Sequence, residues 1–151
     1  MSFKVAGKTS LVCEAKIIEQ VAKKYGWTVE HNATIRSHDI AVGRKFDVVL
    51  KNPDTDAYAY DVGIDYSEDG KTAEFIYDRW HDSVESKLGK QCGKFKNECA
   101  VAAIHDNDQE FAHMDYEEYF EQFCSWDKDG SLIYNGYDEE PWIEEEELTN
   151  G

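Results

Sequence analysis

The stretch Lys45–Trp80, KFDVVLKNPDTDAYAYDVGIDYSEDGKTAEFIYDRW, decides the fold. Within it Tyr58, Tyr60, Val62, Ile64 and Tyr66 occupy every second position, with Ala59, Asp61, Gly63 and Asp65 between them. That is the period of a half-buried strand. Phe46, Val48 and Leu50 supply a strand before it, and Phe75 and Tyr77 a strand after it. The links Asn52-Pro53-Asp54-Thr55-Asp56 and Glu68-Asp69-Gly70-Lys71 carry the residue types that reverse a chain. Three strands joined this way form an antiparallel meander over about 45–80. An apolar sheet face has to be covered, so the remaining segments are read as its cover.

Before the meander, Phe3, Val5, Leu11 and Val12 suggest a first strand bent near Gly7. From about Cys13 to Tyr25 the apolar residues Ala15, Ile18, Val21, Ala22 and Tyr25 recur at three and four, which predicts an amphipathic helix with Gly26 as its C-terminal cap. Trp27, Val29 and His31 then alternate as a second strand, and Asn32–Arg44 reads as a loop or a ragged edge strand. After the meander, Val84, Leu88, Cys92, Phe95, Cys99 and Ala102 form one apolar stripe, predicting a long helix over about 81–104 that crosses the sheet. Gly89 and Gly93 predict a kink or a close backbone contact inside it. Lys87, Lys90 and Lys94 would then lie along one ridge, which is read first as a solvated face.

Charge divides the chain unevenly. Met1–Ile104 holds 15 Lys+Arg against 16 Asp+Glu, a net of −1, whereas His105–Gly151 holds Lys128 alone against 16 Asp+Glu, a net of −15. The acidic part is nevertheless rich in aromatic residues. Tyr116, Tyr119, Phe120 and Phe123 fall at helical spacing, predicting a short helix from about Met114 to Ser125 whose other side bears Asp115, Glu117, Glu118 and Glu121. Asp127-Lys128-Asp129-Gly130 reads as a turn into a last strand, Leu132-Ile133-Tyr134. The whole is read as an α+β domain over 1–142 with an acidic flexible tail at 143–151, built on the run Glu144–Glu147.

Composition narrows the function classes. Phosphate backbones are bound by clustered Lys and Arg, so this balance argues against direct nucleic-acid binding. No apolar run approaches the ~20 residues that cross a bilayer, which argues against a membrane span. Cys13, Cys92, Cys99 and Cys124 lie far apart, with no Cys-x-x-Cys pair and no apolar leader ahead of them, so they are read as reduced thiols in a cytoplasmic protein.

The order of an N-terminal strand, a Lys-bearing helix ending Tyr25-Gly26-Trp27, the Asp61-Val62-Gly63-Ile64 strand and Trp80 ahead of a helix carrying Phe95 resembles a plastid and cyanobacterial reading-frame family, domain of unknown function 1257. The Asp129-Gly130-Ser131 turn into a strand extends the likeness to roughly Met1–Tyr134. The chain departs from it at Cys99-Ala100-Val101-Ala102, where the family has aromatic residues. The resemblance implies a small α+β domain and carries no activity, cofactor or catalytic residue with it.

Candidate chemistry is sparse. If the Tyr58 face is buried, Asp61 and Asp65 share the opposite face. Asp47, Glu74 and Asp78 could join them, and such carboxylates suit Mg²⁺. The competing reading is an acidic solvent face. The histidines His31, His38, His81, His105 and His113 show no ligand spacing, a zinc site or a Cys-His pair would need convergence that nothing in the pattern marks, and no phosphate loop occurs. No cofactor is expected. The leading reading is therefore a non-enzymatic, acidic protein-binding module that uses Asp115, Glu117, Glu118 and Glu121 against a partner with a basic surface. In its sharper form it imitates nucleic-acid charge and blocks a nucleic-acid-handling enzyme or defence complex. The alternatives are a carboxylate-site metal-dependent hydrolase or nuclease on the meander, and an accessory subunit of a larger complex.

Overall fold

A five-stranded antiparallel sheet organises the first part of the chain, seen in a computed structural model that describes residues 6–135. Its strands are β1 (Ala6–Val12), β2 (Thr28–Ala33), β3 (Phe46–Lys51), β4 (Val62–Tyr66) and β5 (Thr72–Asp78), in the order β1-β5-β4-β3-β2. The meander expected from the sequence is β3-β4-β5, in the middle of the sheet, flanked by β2 against β3 and by β1 against β5. The fold is α+β. Phe3 and Val5 of the expected first strand, like the acidic run 144–147, lie outside the described residues.

Within the span read as one domain, the chain forms two compact units, Met1–Ala103 and Ile104–Gly151. The division falls one residue from the step in charge between Ile104 and His105.

In the first unit, registered rows place Val48, Ile64 and Phe75 side by side, and next to them Leu50, Val62 and Tyr77. All six are buried. Helix α1 (Ala15–Lys24) buries Ile17, Ile18, Val21 and Ala22. It stops in a Schellman arrangement: Gly26 sits at φ +82 and its N–H donates to Lys23 O, while Trp27 N–H donates to Ala22 O. Phe95, on helix α3 (Gly93–Asp106), meets Phe75 edge-on at 6.0 Å and Tyr25 at 5.7 Å. Beside this contact the buried Glu98 carboxylate accepts from Lys24 Nζ at 2.7 Å and from Tyr25 Oη at 3.0 Å. Ile64→Ala is expected to cost about 2 to 5 kcal/mol through lost transfer energy and a cavity, read from the midpoint of urea unfolding.

Three expectations are corrected. First, β4 begins at Val62 and not at Tyr58; Tyr58 is 50 % exposed, while Ala59, Asp61 and Gly63, read as the wet face, are buried. The second face of the sheet is covered. Ile35, Phe46 and Val49 cluster there, with Ala33, Ala41 and Ile76 packed against them, so the segment 34–44 takes the loop form of its two readings and is a lid on the sheet. The Phe46 ring lies directly over Gly63, where a Cβ would come within 2.5 Å of it, so only glycine fits.

Second, the long helix is broken. Trp80–Asp82 is a 3-10 turn, helix α2 spans Glu85–Leu88, Gly89 takes φ +88 and ψ 164, and a further 3-10 turn at Lys90–Cys92 precedes α3. The stripe Val84, Leu88, Cys92, Phe95, Cys99 and Ala102 is nevertheless buried throughout. The break scatters Lys87, Lys90 and Lys94 over three elements, and Lys87 Nζ pairs with Asp54 at 3.0 Å.

Third, the second unit contains a strand the sequence reading missed. Helix α4 spans Tyr116–Phe123, inside the expected limits, and is followed at once by β6 (Cys124–Trp126), which pairs with β7 (Leu132–Tyr134) through the expected Asp127–Gly130 turn. Asp127 Oδ1 accepts from the N–H groups of Asp129 and Ser131, both at 2.8 Å, and this fixes the turn.

Candidate interaction surfaces

Helix α4 is short, so its order comes from packing more than from propensity. Tyr116, Tyr119 and Phe120 are buried and Phe123 is half-buried. Tyr119 is the hub: its ring lies 4.5 Å from His105 and 4.8 Å from Phe123, and its hydroxyl meets that of Tyr134. The Nε2–H of His105 donates to Phe111 O at 2.8 Å, which sets the tautomer and orients that ring. Phe111 in turn packs edge-on against Phe123 at 5.1 Å.

The opposite side of α4 carries the four residues singled out in the sequence, and Asp115, Glu117, Glu118 and Glu121 are all exposed. Asp115 stands at the N-cap with extended backbone and makes no side-chain cap bond. Carboxylates in a first helical turn face the positive end of the helix dipole, so Asp115, Glu117 and Glu118 also help to start the helix. Glu121 lies beyond that turn and has no such role. The result is a fixed row of carboxylates directed to solvent.

Asp61 and Asp65 are not brought together as a pair. Asp61 precedes β4 and is fully buried, with Arg36 Nη2 at 2.8 Å, Lys51 Nζ at 3.0 Å, and the N–H groups of Arg36 and Asn52 at 2.7 and 2.9 Å. Burial alone would push its carboxyl up, but these donors outweigh burial and hold it below the ordinary carboxylate range. Both oxygens are taken by the chain's own donors. Asp65 pairs instead with Arg44 and accepts from Asp47 N–H at 3.2 Å. Among the described residues no three His, Cys, Asp or Glu side chains gather closely enough to hold a metal ion. All four cysteines are buried free thiols, and burial pushes Cys92 up to about 12. Among the described residues no helix is long and apolar enough to cross a membrane.

A second surface went unnoticed in the sequence. His81 lies between Tyr58, stacked at 3.7 Å and 29°, and Trp80, at 4.3 Å and 34°; His38 meets the Trp80 ring edge-on at 4.2 Å. The buried Asp78 fastens two of these residues, accepting from the N–H of His38 at 2.8 Å and of Trp80 at 2.9 Å. Asp56 Oδ1 accepts from Tyr58 N–H at 2.8 Å, and Ser83 Oγ accepts from Tyr60 N–H at 3.1 Å. His81 and Asp82 have φ of +64 and +55, a left-handed conformation that costs non-glycine residues roughly 1 to 3 kcal/mol each. The adjacent Trp80-His81 was the available signal. The alternation through Tyr58 obscures it, because that pattern puts Tyr58 on the buried side of a strand.

No protein-family model matches the chain, and neither a curated protein nor a solved structure matches it.

Proposed function

We propose that this chain is a non-enzymatic acidic protein-binding module whose α4 carboxylates engage a basic surface on another protein, in the place that nucleic-acid phosphates would occupy. The observation that carries the reading is the two-sided character of α4. Its aromatic side is anchored in the second unit, so Asp115, Glu117, Glu118 and Glu121 are held in place at the surface. Ordered charge meets a basic groove without the ordering entropy that a flexible acidic segment loses on binding. The arrangement at Asp61 favours no carboxylate-site hydrolase, because that carboxylate is spent on Arg36 and Lys51. Likeness to the plastid and cyanobacterial reading-frame family is part of the proposal and supplies no activity.

The test compares the wild-type chain with the variant Asp115→Asn, Glu117→Gln, Glu118→Gln, Glu121→Gln. A partner captured from the native host by the wild type is titrated against both across a salt series. Four exposed ion pairs at about 0.5 kcal/mol each amount to about 2 kcal/mol, so the variant should bind about thirtyfold more weakly, with a shallower salt dependence. Deleting everything after Trp142 should do much less. A variant that binds as tightly as the wild type at every salt concentration would show that the carboxylates serve only the helix.

A further inference from the structure

We propose that the ring stack formed by Trp80, His81 and Tyr58 on the first unit is a binding site for the guanidinium group of an arginine side chain presented by a partner segment. The site does not depend on the acidic helix.

The rings form a stack in which Tyr58 and His81 are exposed, on an anchored backbone. Asp78 fastens Trp80 and His38 through their backbone N–H groups, and Asp56 fastens Tyr58 in the same way. Chain ordering is thus complete before any ligand arrives, which is the main cost a binding loop otherwise bears. The rings are displayed at unfavourable backbone angles at His81 and Asp82, although burying them would be the ordinary outcome for aromatic side chains. Tyr58, at the end of the stack, is half exposed and offers a free ring face.

Local charge selects the ligand. The basic groups around the stack are already engaged: Arg36 with Asp61, Arg79 with Glu85 and Lys87 with Asp54. Asp56 and Asp82 are exposed and among the described residues neither is in a close ion pair, although Asp56 also feels the more distant charge of Arg36. A ring face beside carboxylates outside any close ion pair attracts a cation and repels a phosphate. Of the two basic side chains, arginine fits better, because its planar guanidinium lies flat on a ring while its edge donates to a carboxylate. Lysine presents a compact, strongly hydrated ammonium that does neither as well.

The full-length protein, isotopically labelled, is titrated at low salt with N-acetylarginine amide, and the ring signals of Tyr58, Trp80 and His81 are followed by NMR. Saturating shifts confined to this stack are expected, weakened about fivefold in Tyr58→Ala and kept in Tyr58→Phe. The paired variant Asp56→Asn, Asp82→Asn removes both charges while the amide oxygen it places at position 56 can still accept from the Tyr58 N–H, and it should weaken them comparably even if Tyr58→Ala disturbs the loop. Neutralising α4 should leave the shifts unchanged. The proposal is overturned if no saturable shift appears, if Tyr58→Ala and the paired variant respond like the wild type, if N-acetyllysine amide binds as well, or if uridine shifts the same rings more strongly than arginine does.

Discussion

Asp61→Ala is expected to lower the free energy of unfolding by about 3 to 5 kcal/mol, a large part of the stability of a domain of this size. The carboxylate is fully buried and its partners come from three directions. Arg36 belongs to the lid over the second sheet face, Lys51 ends β3, and Asn52 starts the link to β4. Removing the carboxylate strands the N–H groups of Arg36 and Asn52 and leaves the charges of Arg36 and Lys51 without their counter-ion. Arg36 is partly open to solvent and can be rehydrated, which keeps the loss below that of a fully enclosed pair. The sign with pH follows from the depressed carboxyl. Its contribution is complete above about pH 4, the value in an unfolded chain, and is lost as pH falls through the lower folded value. Urea unfolding of wild type and variant should therefore differ most near neutrality and converge in strong acid. Equal midpoints at neutral pH would show that the lid is held by Ile35 and Phe46 alone.

The same residue shows how far the sequence could be read. Alternation at Val48 and Leu50, at Val62 and Ile64, and at Phe75 and Tyr77 located the meander, because each strand buries one set of side chains on the face where Phe75 meets Phe95 of α3, whereas Phe46, read in the same set, lies on the other face with Val49. Alternation continues back to Tyr58, but the chain leaves the sheet at Asp61, whose N–H donates to Arg36 O and whose carboxylate holds the Arg36 side chain. A period-2 pattern assumes that one face is wet. Here it is covered by a lid whose buried apolar content is little more than Ile35, and its anchors are polar: Arg36 on Asp61, His38 N–H on Asp78 and Arg44 on Asp65. Long-range ion pairs leave no local period. Helix α4 was readable for the opposite reason, since its aromatic spacing, its buried side and its exposed carboxylates all agree within one short segment. Strand β6, with three residues directly after that helix, is too short to show any period.

Gly89→Ala is a prediction on which sequence and structure give opposite signs. The apolar stripe from Val84 to Ala102 fits one continuous helix, and inside a helix replacing glycine by alanine stabilises by about 1 kcal/mol. In the structure Gly89 instead takes φ +88 and ψ 164, a region that glycine alone enters readily, at about 1 to 3 kcal/mol for other residues. A Cβ there would lie 2.7 Å from the backbone nitrogen of Lys94 and 2.8 Å from its Cβ, so the first turn of α3 would have to shift, at about 1 to 3 kcal/mol more. Gln91 and Cys92 follow at φ +55 and +57, so the chain turns sharply between α2 and α3 and still delivers Leu88, Cys92 and Phe95 to one core. The break has a use. Glu85 Oε2 accepts from Tyr77 Oη at 2.6 Å and from Gln91 N–H at 2.9 Å, so one carboxylate joins β5 to the turn, a bond a straight helix would not make at that spacing. Gly89→Ala should therefore destabilise by about 2 to 5 kcal/mol in urea unfolding. A variant more stable than the wild type would mean that the helix runs through this point.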